Sequence, residues 1–222
     1  QNLSEKNFSK SYLSKIDLSK KNLSNADLSY SNLSNADLSN ADLSNADLTG
    51  SILVGADLSN ANLSNAKLQD ADLRNTNLKF SNLSFVDLSS SRIAGADARN
   101  SNLSNANLQS HHISEIFLDG ADLSNADLSF TIFRSGDLAG AELSGANLSY
   151  SDLTYSNLEF SNLSEVEFTG ADLSGANLSN ANLNNSDLSS SILFNTNLSN
   201  ANLEDVIIKN TNLSCINHEI CI

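Results

Sequence analysis

The chain has 222 residues, no proline, methionine or tryptophan, and a formal net charge of −14. Its apolar content of 40% exceeds that of disordered chains, and its acidic balance disfavours direct binding to nucleic acid or to an anionic membrane. No apolar run approaches the roughly 18 residues that a membrane-spanning helix needs.

A five-residue repeat runs along the chain without insertion or slip. With Leu3 as the first centre, the chain holds 44 pentapeptides, whose centres are leucine in 36, phenylalanine in 3 and isoleucine in 3, the last including Ile113. Ala98 and His218 are the two exceptions. Two residues before the centre, 34 of 44 positions hold Ala, Ser, Thr or Gly, and the residue directly before the centre is mostly Asp or Asn.

A period of five fits neither a helix nor one long strand. In an α-helix, centres five apart lie about 140° apart around the axis, and in a strand an odd period sends successive centres to opposite faces. We therefore expect the chain to change direction every five residues, with the centre and the small residue two before it pointing inward. Eight of nine glycines lie two after a centre, where a turn accepts unusual dihedral angles. The pattern predicts a solenoid whose core centres include Leu38, Leu43 and Leu48.

The motif Ala-Asp-Leu-Ser-Asn, repeated over residues 34–50, resembles that of the pentapeptide repeat family, and the resemblance covers essentially the whole chain. It implies an all-β fold, a right-handed quadrilateral parallel β-helix with four pentapeptides per coil, whereas the spacing by itself leaves three per coil open. The implied rod has about 11 coils and is roughly 50 Å long, at roughly 4.8 Å per coil. We expect one uninterrupted β-helix over residues 1–215 and a C-terminal cap or tail over residues 216–222.

Steps of 20 residues assign the charges to the four faces of such a coil. The adjacent faces that begin with residues 1–5 and 16–20 carry −11 of the −14 net charge. The candidate acidic face comprises Asp17, Asp37, Asp57, Asp97, Asp137, Asp42, Asp122 and Glu142. Asp17, Asp37 and Asp57 are expected to form an exposed, solvated ladder, whereas Asp37, Asp42 and Asp47 fall on three different faces.

The face that begins with residues 11–15 is neutral, with four acidic and four basic residues. Its outward positions carry unusual apolar side chains, which either reflect drift on a tolerant scaffold or form a partner-binding face. The candidate partner face comprises Tyr12, Ile52, Val54, Arg92, His112, Ile132, Ile192 and Phe194.

Aromatic residues recur two after the centre, where we expect them to pack at the corners of the coils. Phe130 and Tyr150 are 20 residues apart and are expected to stack. Cys215 and Cys221 would fall at successive corners, too far apart for a disulfide unless the tail folds back, so free thiols are expected.

The sequence shows no arrangement of Ser, His and Asp as a catalytic triad and no phosphate-binding loop. We therefore expect no enzymatic activity, no catalytic residue, no metal site and no cofactor.

Three functions follow as hypotheses. The first is a non-enzymatic scaffold or protein-binding rod with an unknown partner. The second is a DNA mimic, since the resemblance implies that some members bind DNA gyrase and confer quinolone resistance. The third is a structural or cell-surface rod. An end coil is also a candidate homodimer interface. The cytoplasm is slightly favoured, but the start at Gln1 suggests a trimmed chain, so export stays open.

Overall fold

The protein is described by a computed structural model that covers residues 2–112 and 116–221. Within these two ranges the secondary structure consists of isolated parallel β-bridges separated by two-residue turns, without a helix or a longer strand. The bridge residue is the one directly before each centre, as Asp37 is before Leu38. The predicted centre Ile113 and the tail residue Ile222 lie outside the described residues.

The chain divides into two compact units, which we call the N-terminal unit (Gln1–Asn107 with Glu115–Phe117) and the C-terminal unit (Leu108–Ser114 with Leu118–Ile222). In the N-terminal unit, bridges join residues 20 apart, as between Asp37 and Asp57. The C-terminal unit has the same spacing, as between Asn157 and Asn177. Each coil therefore holds four pentapeptides, and the chain is a parallel β-helix solenoid.

Backbone hydrogen bonds between successive coils define this register. Leu38 N donates to Asp57 O at 2.8 Å, and Asp57 N donates to Ala36 O at 2.9 Å. At the corner, Asn40 N donates to Ser59 O at 2.9 Å. The sides and the corners of a coil are thus both tied to the next coil, so nearly every pentapeptide contributes to the stack.

The corners depend on one left-handed residue in each pentapeptide. The residue two after the centre has a positive φ along most of the chain, 58° at Asn40 and 71° at Gly170. All eight glycines at this position have positive φ, which confirms the prediction from their spacing. Asn occupies many of the other corners because it tolerates the left-handed region better than most residues.

The inward side chains form a leucine core lined by small residues. Leu38, Leu43 and Leu48 have no exposed surface. Where serine replaces alanine at the small position, its hydroxyl usually donates to the carbonyl three residues earlier, as Ser31 Oγ does to Leu28 O at 2.6 Å. That bond satisfies a hydroxyl that would otherwise be costly to bury.

Aromatic corners stack along the C-terminal unit. The rings of Phe130 and Tyr150 lie 5.1 Å apart with an interplanar angle of 12°, which confirms the predicted stack. On its other side the Tyr150 ring covers Gly170, where an added Cβ would come within 2.7 Å of two ring carbons. Glycine thus leaves the space that the ring occupies.

The C-terminal tail corrects the expectation of free thiols, because Cys215 and Cys221 form a disulfide with their Cα atoms 5.0 Å apart. The bridge register changes from 20 to 19 residues where Asn197 pairs with Ile216. Asn217 then adopts a φ of 65°, and Cys221 N donates to His218 O at 3.1 Å. The tail therefore folds back instead of continuing the coil, which brings the two cysteines within bonding range.

None of the described residues forms a helix long and apolar enough to cross a membrane.

Replacing Gly170 by alanine tests the packing of the aromatic corner. We expect Gly170→Ala to lower the free energy of unfolding by about 1 kcal/mol more than Gly140→Ala, because the new methyl group displaces the Tyr150 ring from its stack. Both glycines have positive φ, but a Cβ at Gly140 would meet no atom within 4 Å. Urea unfolding followed by circular dichroism measures the difference, and equal costs for the two variants would contradict the stacking argument.

Removal of the disulfide tests the structure of the tail. We expect the double variant Cys215→Ser/Cys221→Ser to lose about 2 kcal/mol of stability in the last coil, since the bond closes a short loop. Hydrogen exchange of the last coil measures the effect. Reductant should reproduce it in the wild type and leave the double variant unchanged.

Candidate functional site

The acidic and amide side chains before the centres are bonded to the backbone. Asp37 Oδ1 accepts a hydrogen bond from Ser39 N at 2.9 Å, and Asp57 Oδ1 accepts one from Ser59 N at 2.9 Å. The same contact recurs along both units, so Asp or Asn at this position supports the turn that follows. The sequence analysis recorded the residue type but missed this role, although the spacing of Asp or Asn two residues before Ser is a known turn signal.

Side-chain ladders join these residues from coil to coil in the C-terminal unit. Asn157 donates to Asp137 Oδ1 at 3.1 Å, Asn177 to Asn157 at 3.4 Å, and Asn197 to Asn177 at 3.0 Å. A second ladder begins at Glu142, which accepts two bonds from Asn162, and continues to Asn182. In both ladders the amide groups donate toward a carboxylate, which offsets part of its negative charge.

The candidate acidic residues occupy different rows. In the N-terminal unit, bridges join Asp17 to Asp37 and Asp37 to Asp57, while Asp42 lies in a separate row with Asn22 and Asn62. In the C-terminal unit Asp122 pairs with Glu142, and Asp137 heads the other ladder. The role of these residues as a binding face stays a prediction.

Asp97 differs from the other candidate acidic residues because two cations contact it. Arg99 donates to both of its carboxylate oxygens, at 2.8 and 2.6 Å, and Lys79 Nζ lies 2.8 Å away. These bonds, those from Arg99 foremost, hold the pKa of Asp97 well below its usual range against the opposing effect of burial. The guanidinium carbon of Arg99 also lies 5.6 Å from the centre of the Phe117 ring, so one cation is held by a carboxylate and an aromatic face together.

The candidate partner-face residues of the N-terminal unit differ in exposure. Tyr12 is 93% exposed and Ile52 is 42% exposed, whereas Val54 is half-buried. Arg92 pairs with Asp72 at 3.4 Å, and Asp72 also binds Arg74 through two bonds. The charges of this face are therefore largely matched within the unit.

In the C-terminal unit the same face alternates between apolar and acidic residues. Bridges place Ile132, Asp152, Asp172 and Ile192 in one row, with His112 before Ile132. Ile192 is 41% exposed and Phe194 is 54% exposed. Arg134 Nε donates to Asp152 Oδ2 at 2.5 Å and is the basic residue of this face.

The two units differ sharply in charge. The N-terminal unit has 12 acidic and 10 basic residues, and the C-terminal unit has 14 acidic and 2 basic residues. Because assigning charges to the four faces divides the molecule lengthwise, it did not reveal this difference along the chain.

A cleft of about 550 Å³ at the last coil is lined by Leu203, Glu204, His218 and Glu219, among others. His218 Nδ1 accepts a bond from Ile220 N at 3.2 Å, so this nitrogen is engaged in the tail turn. Over the described ranges, no group of three or more His, Cys, Asp or Glu side chains is arranged to hold a metal ion.

The family model of pentapeptide repeats matches the chain in 8 copies, over residues 7–45, 41–79, 81–120, 101–140, 141–180 and 171–210. The chain belongs to the pentapeptide repeat family. It is 34% identical to HetL, a pentapeptide repeat protein of the cyanobacterium Nostoc sp. PCC 7120 involved in the regulation of heterocyst differentiation. That match covers 100% of this chain and 91% of HetL, with a TM-score of 0.56.

Two further pentapeptide repeat structures are similar at lower scores. Rfr23 from the cyanobacterium Cyanothece 51142 is 29% identical over 52% of this chain and 86% of its own, with a TM-score of 0.26. The plasmid-mediated fluoroquinolone resistance protein QnrB1 is 22% identical over 91% of this chain and 92% of its own, with a TM-score of 0.31. No curated protein matches the chain.

The pH dependence of stability tests the cluster around Asp97. Because the folded state lowers the pKa of Asp97, its stabilisation is full above the ordinary carboxyl pKa of about 3.9 and is lost as the pH falls through the lower folded value. We expect Asp97→Asn to cost about 1 kcal/mol at neutral pH, with a smaller difference from the wild type in acid. Thermal unfolding across pH measures this difference.

Asp37→Asn is the matched control for Asp97→Asn. It removes the same charge and keeps the oxygen that accepts from Ser39 N. A cost as large as that of Asp97→Asn would contradict the role assigned to Arg99 and Lys79.

Proposed function

We propose that the chain is a right-handed quadrilateral β-helix of about 11 coils that acts as a non-enzymatic protein-binding rod. Pentapeptide repeat proteins are generally structural or binding proteins rather than enzymes. The similarity to HetL, whose described role is regulatory, supports a function exerted through contact with another protein.

The observation that carries this proposal is the set of apolar side chains at outward positions of the neutral face. The repeat needs leucine inward and Asp or Asn outward, and neither need accounts for Ile192 or Phe194. Both side chains lie outside the leucine core and are substantially exposed. Exposed apolar side chains next to polar ones are typical of the centre and rim of protein interfaces.

A change on the neutral face tests the proposal. We expect immobilised wild-type protein to retain a partner that Ile192→Asp loses, because a buried carboxylate without a partner disfavours the contact. Ile207→Asp is the matched control, since Ile207 is 52% exposed on another face of the same unit. Retention of the same proteins by wild type and both variants would contradict a role for the neutral face.

A DNA mimic that binds DNA gyrase is the second candidate. It is favoured by the charge of the C-terminal unit, which has 14 acidic and 2 basic residues, because duplex DNA presents a dense row of negative charges. A supercoiling assay with purified gyrase separates the two functions. Absence of both inhibition and protection from a quinolone would remove the DNA-mimic candidate and leave the protein-binding rod.

The disulfide bears on the compartment in which the protein acts. Because disulfides persist mainly in oxidising compartments, the Cys215–Cys221 bond favours such a compartment over the cytoplasm that the sequence slightly favoured.

A further inference from the structure

The C-terminal unit has an exposed aromatic edge, which we define as the stacked rings of Phe130 and Tyr150. Tyr150 is 58% exposed and Phe130 is 52% exposed, although each ring covers part of its neighbour. The two residues lie at the corner between two faces, so a partner can reach them from both sides.

Acidic rows border this edge on both of its sides. On the neutral face, bridges join Ile132 to Asp152 and Asp152 to Asp172. On the other side, Asp127 and Glu167 both pair with Asn147. An apolar column between rows of carboxylates suits a ligand that is both flat and positively charged.

The N-terminal unit shows how such a combination holds a guanidinium. There Arg99 binds both oxygens of Asp97 while its guanidinium carbon lies 5.6 Å from the centre of the Phe117 ring. The aromatic edge of the C-terminal unit offers the same chemical groups. Arg134 already occupies one of its carboxylates, that of Asp152.

Charge identifies the class of occupant. The C-terminal unit has 12 more acidic than basic residues, so its surface attracts cations and repels nucleic acid. Arginine fits better than lysine, because its planar group stacks on aromatic rings and binds carboxylates with two donors.

We propose that the aromatic edge binds an arginine-rich segment of a protein partner. The proposal rests on the proposed protein-binding function and names the chemistry of its partner. The partner's guanidinium groups pack on Tyr150 and Phe130 and pair with Asp152 and Asp172, and its main binding energy comes from this one edge of the molecule.

Binding of a fluorescein-labelled nonaarginine peptide to the full chain, followed by fluorescence anisotropy, tests the proposal. We expect Asp152→Asn/Asp172→Asn to weaken binding about fivefold. Asn is common at this position of the repeat and keeps the oxygens that accept from Thr154 N and Ser174 N, so the turns should survive. A thermal melt of each variant checks that they do.

Asp37→Asn/Asp57→Asn is the matched control, because it removes the same charge from a ladder in the N-terminal unit. We expect it to weaken binding less than about twofold. Equal losses in the two double variants would show a general electrostatic attraction and overturn the proposal.

The aromatic contribution has its own matched pair. We expect Tyr150→Leu to weaken binding about threefold, the size of an exposed cation–π contact. Tyr30→Leu should leave binding unchanged, since Tyr30 covers Gly50 in the same way and is 60% exposed, but is followed by Asn32 where Tyr150 is followed by Asp152.

Two further probes decide between ligand classes. Nonalysine should bind more weakly than nonaarginine, and equal affinities would overturn the role of the rings. Binding of a duplex DNA fragment at the same edge would also overturn the proposal. If nonaarginine fails to bind while Ile192→Asp still loses a partner that the wild type retains, this inference falls and the protein-binding function stands.

Discussion

The left-handed residue at the end of each pentapeptide is the constraint on which the rest of this structure depends. An odd period cannot be a straight strand, and only a corner every five residues returns the same side-chain position to the interior. At such a corner, as at Asn40, the backbone amide still donates to the next coil, at 2.9 Å to Ser59 O. The cost of the unusual dihedral is thus offset by a hydrogen bond, and each coil presents the same edge to the next. The leucine core and the outward rows both follow from that geometry.

Because the repeat assigns a structural task to most side chains, chemical character appears where the repeat is broken. Asp and Asn before the centres brace turns and join in ladders, so an acidic composition does not by itself make an acidic site. Departures from the pattern carry more information: Ile192 and Phe194 on the neutral face, the Phe130–Tyr150 stack, and the scarcity of basic residues in the C-terminal unit. A regular scaffold of this kind separates stability from binding, since outward side chains can change without altering the core.

Particular residues show how far sequence reasoning reaches. The stack of Phe130 on Tyr150 and the positive φ of the corner glycines were both predictable, because each follows from a local position within the repeat. The disulfide was predicted wrongly, because it depends on Ile216 pairing 19 rather than 20 residues away and on a turn at His218 that no periodic pattern indicates. The bonds of Asp97 to Arg99 and Lys79 were likewise missed, since long side chains choose among several carboxylates within reach.

The sequence by itself determined the period, the inward leucines, the turn positions and membership of a solenoid class. These properties are local, since five consecutive residues suffice to specify which side chains point inward and where the backbone must turn. The tertiary structure decided the 20-residue coil, the slip in the tail, the partners of the charged side chains and the division into two units of unequal charge. Those properties depend on which residues meet across coils, and contacts between residues 20 apart are set by how the coils stack rather than by any single pentapeptide.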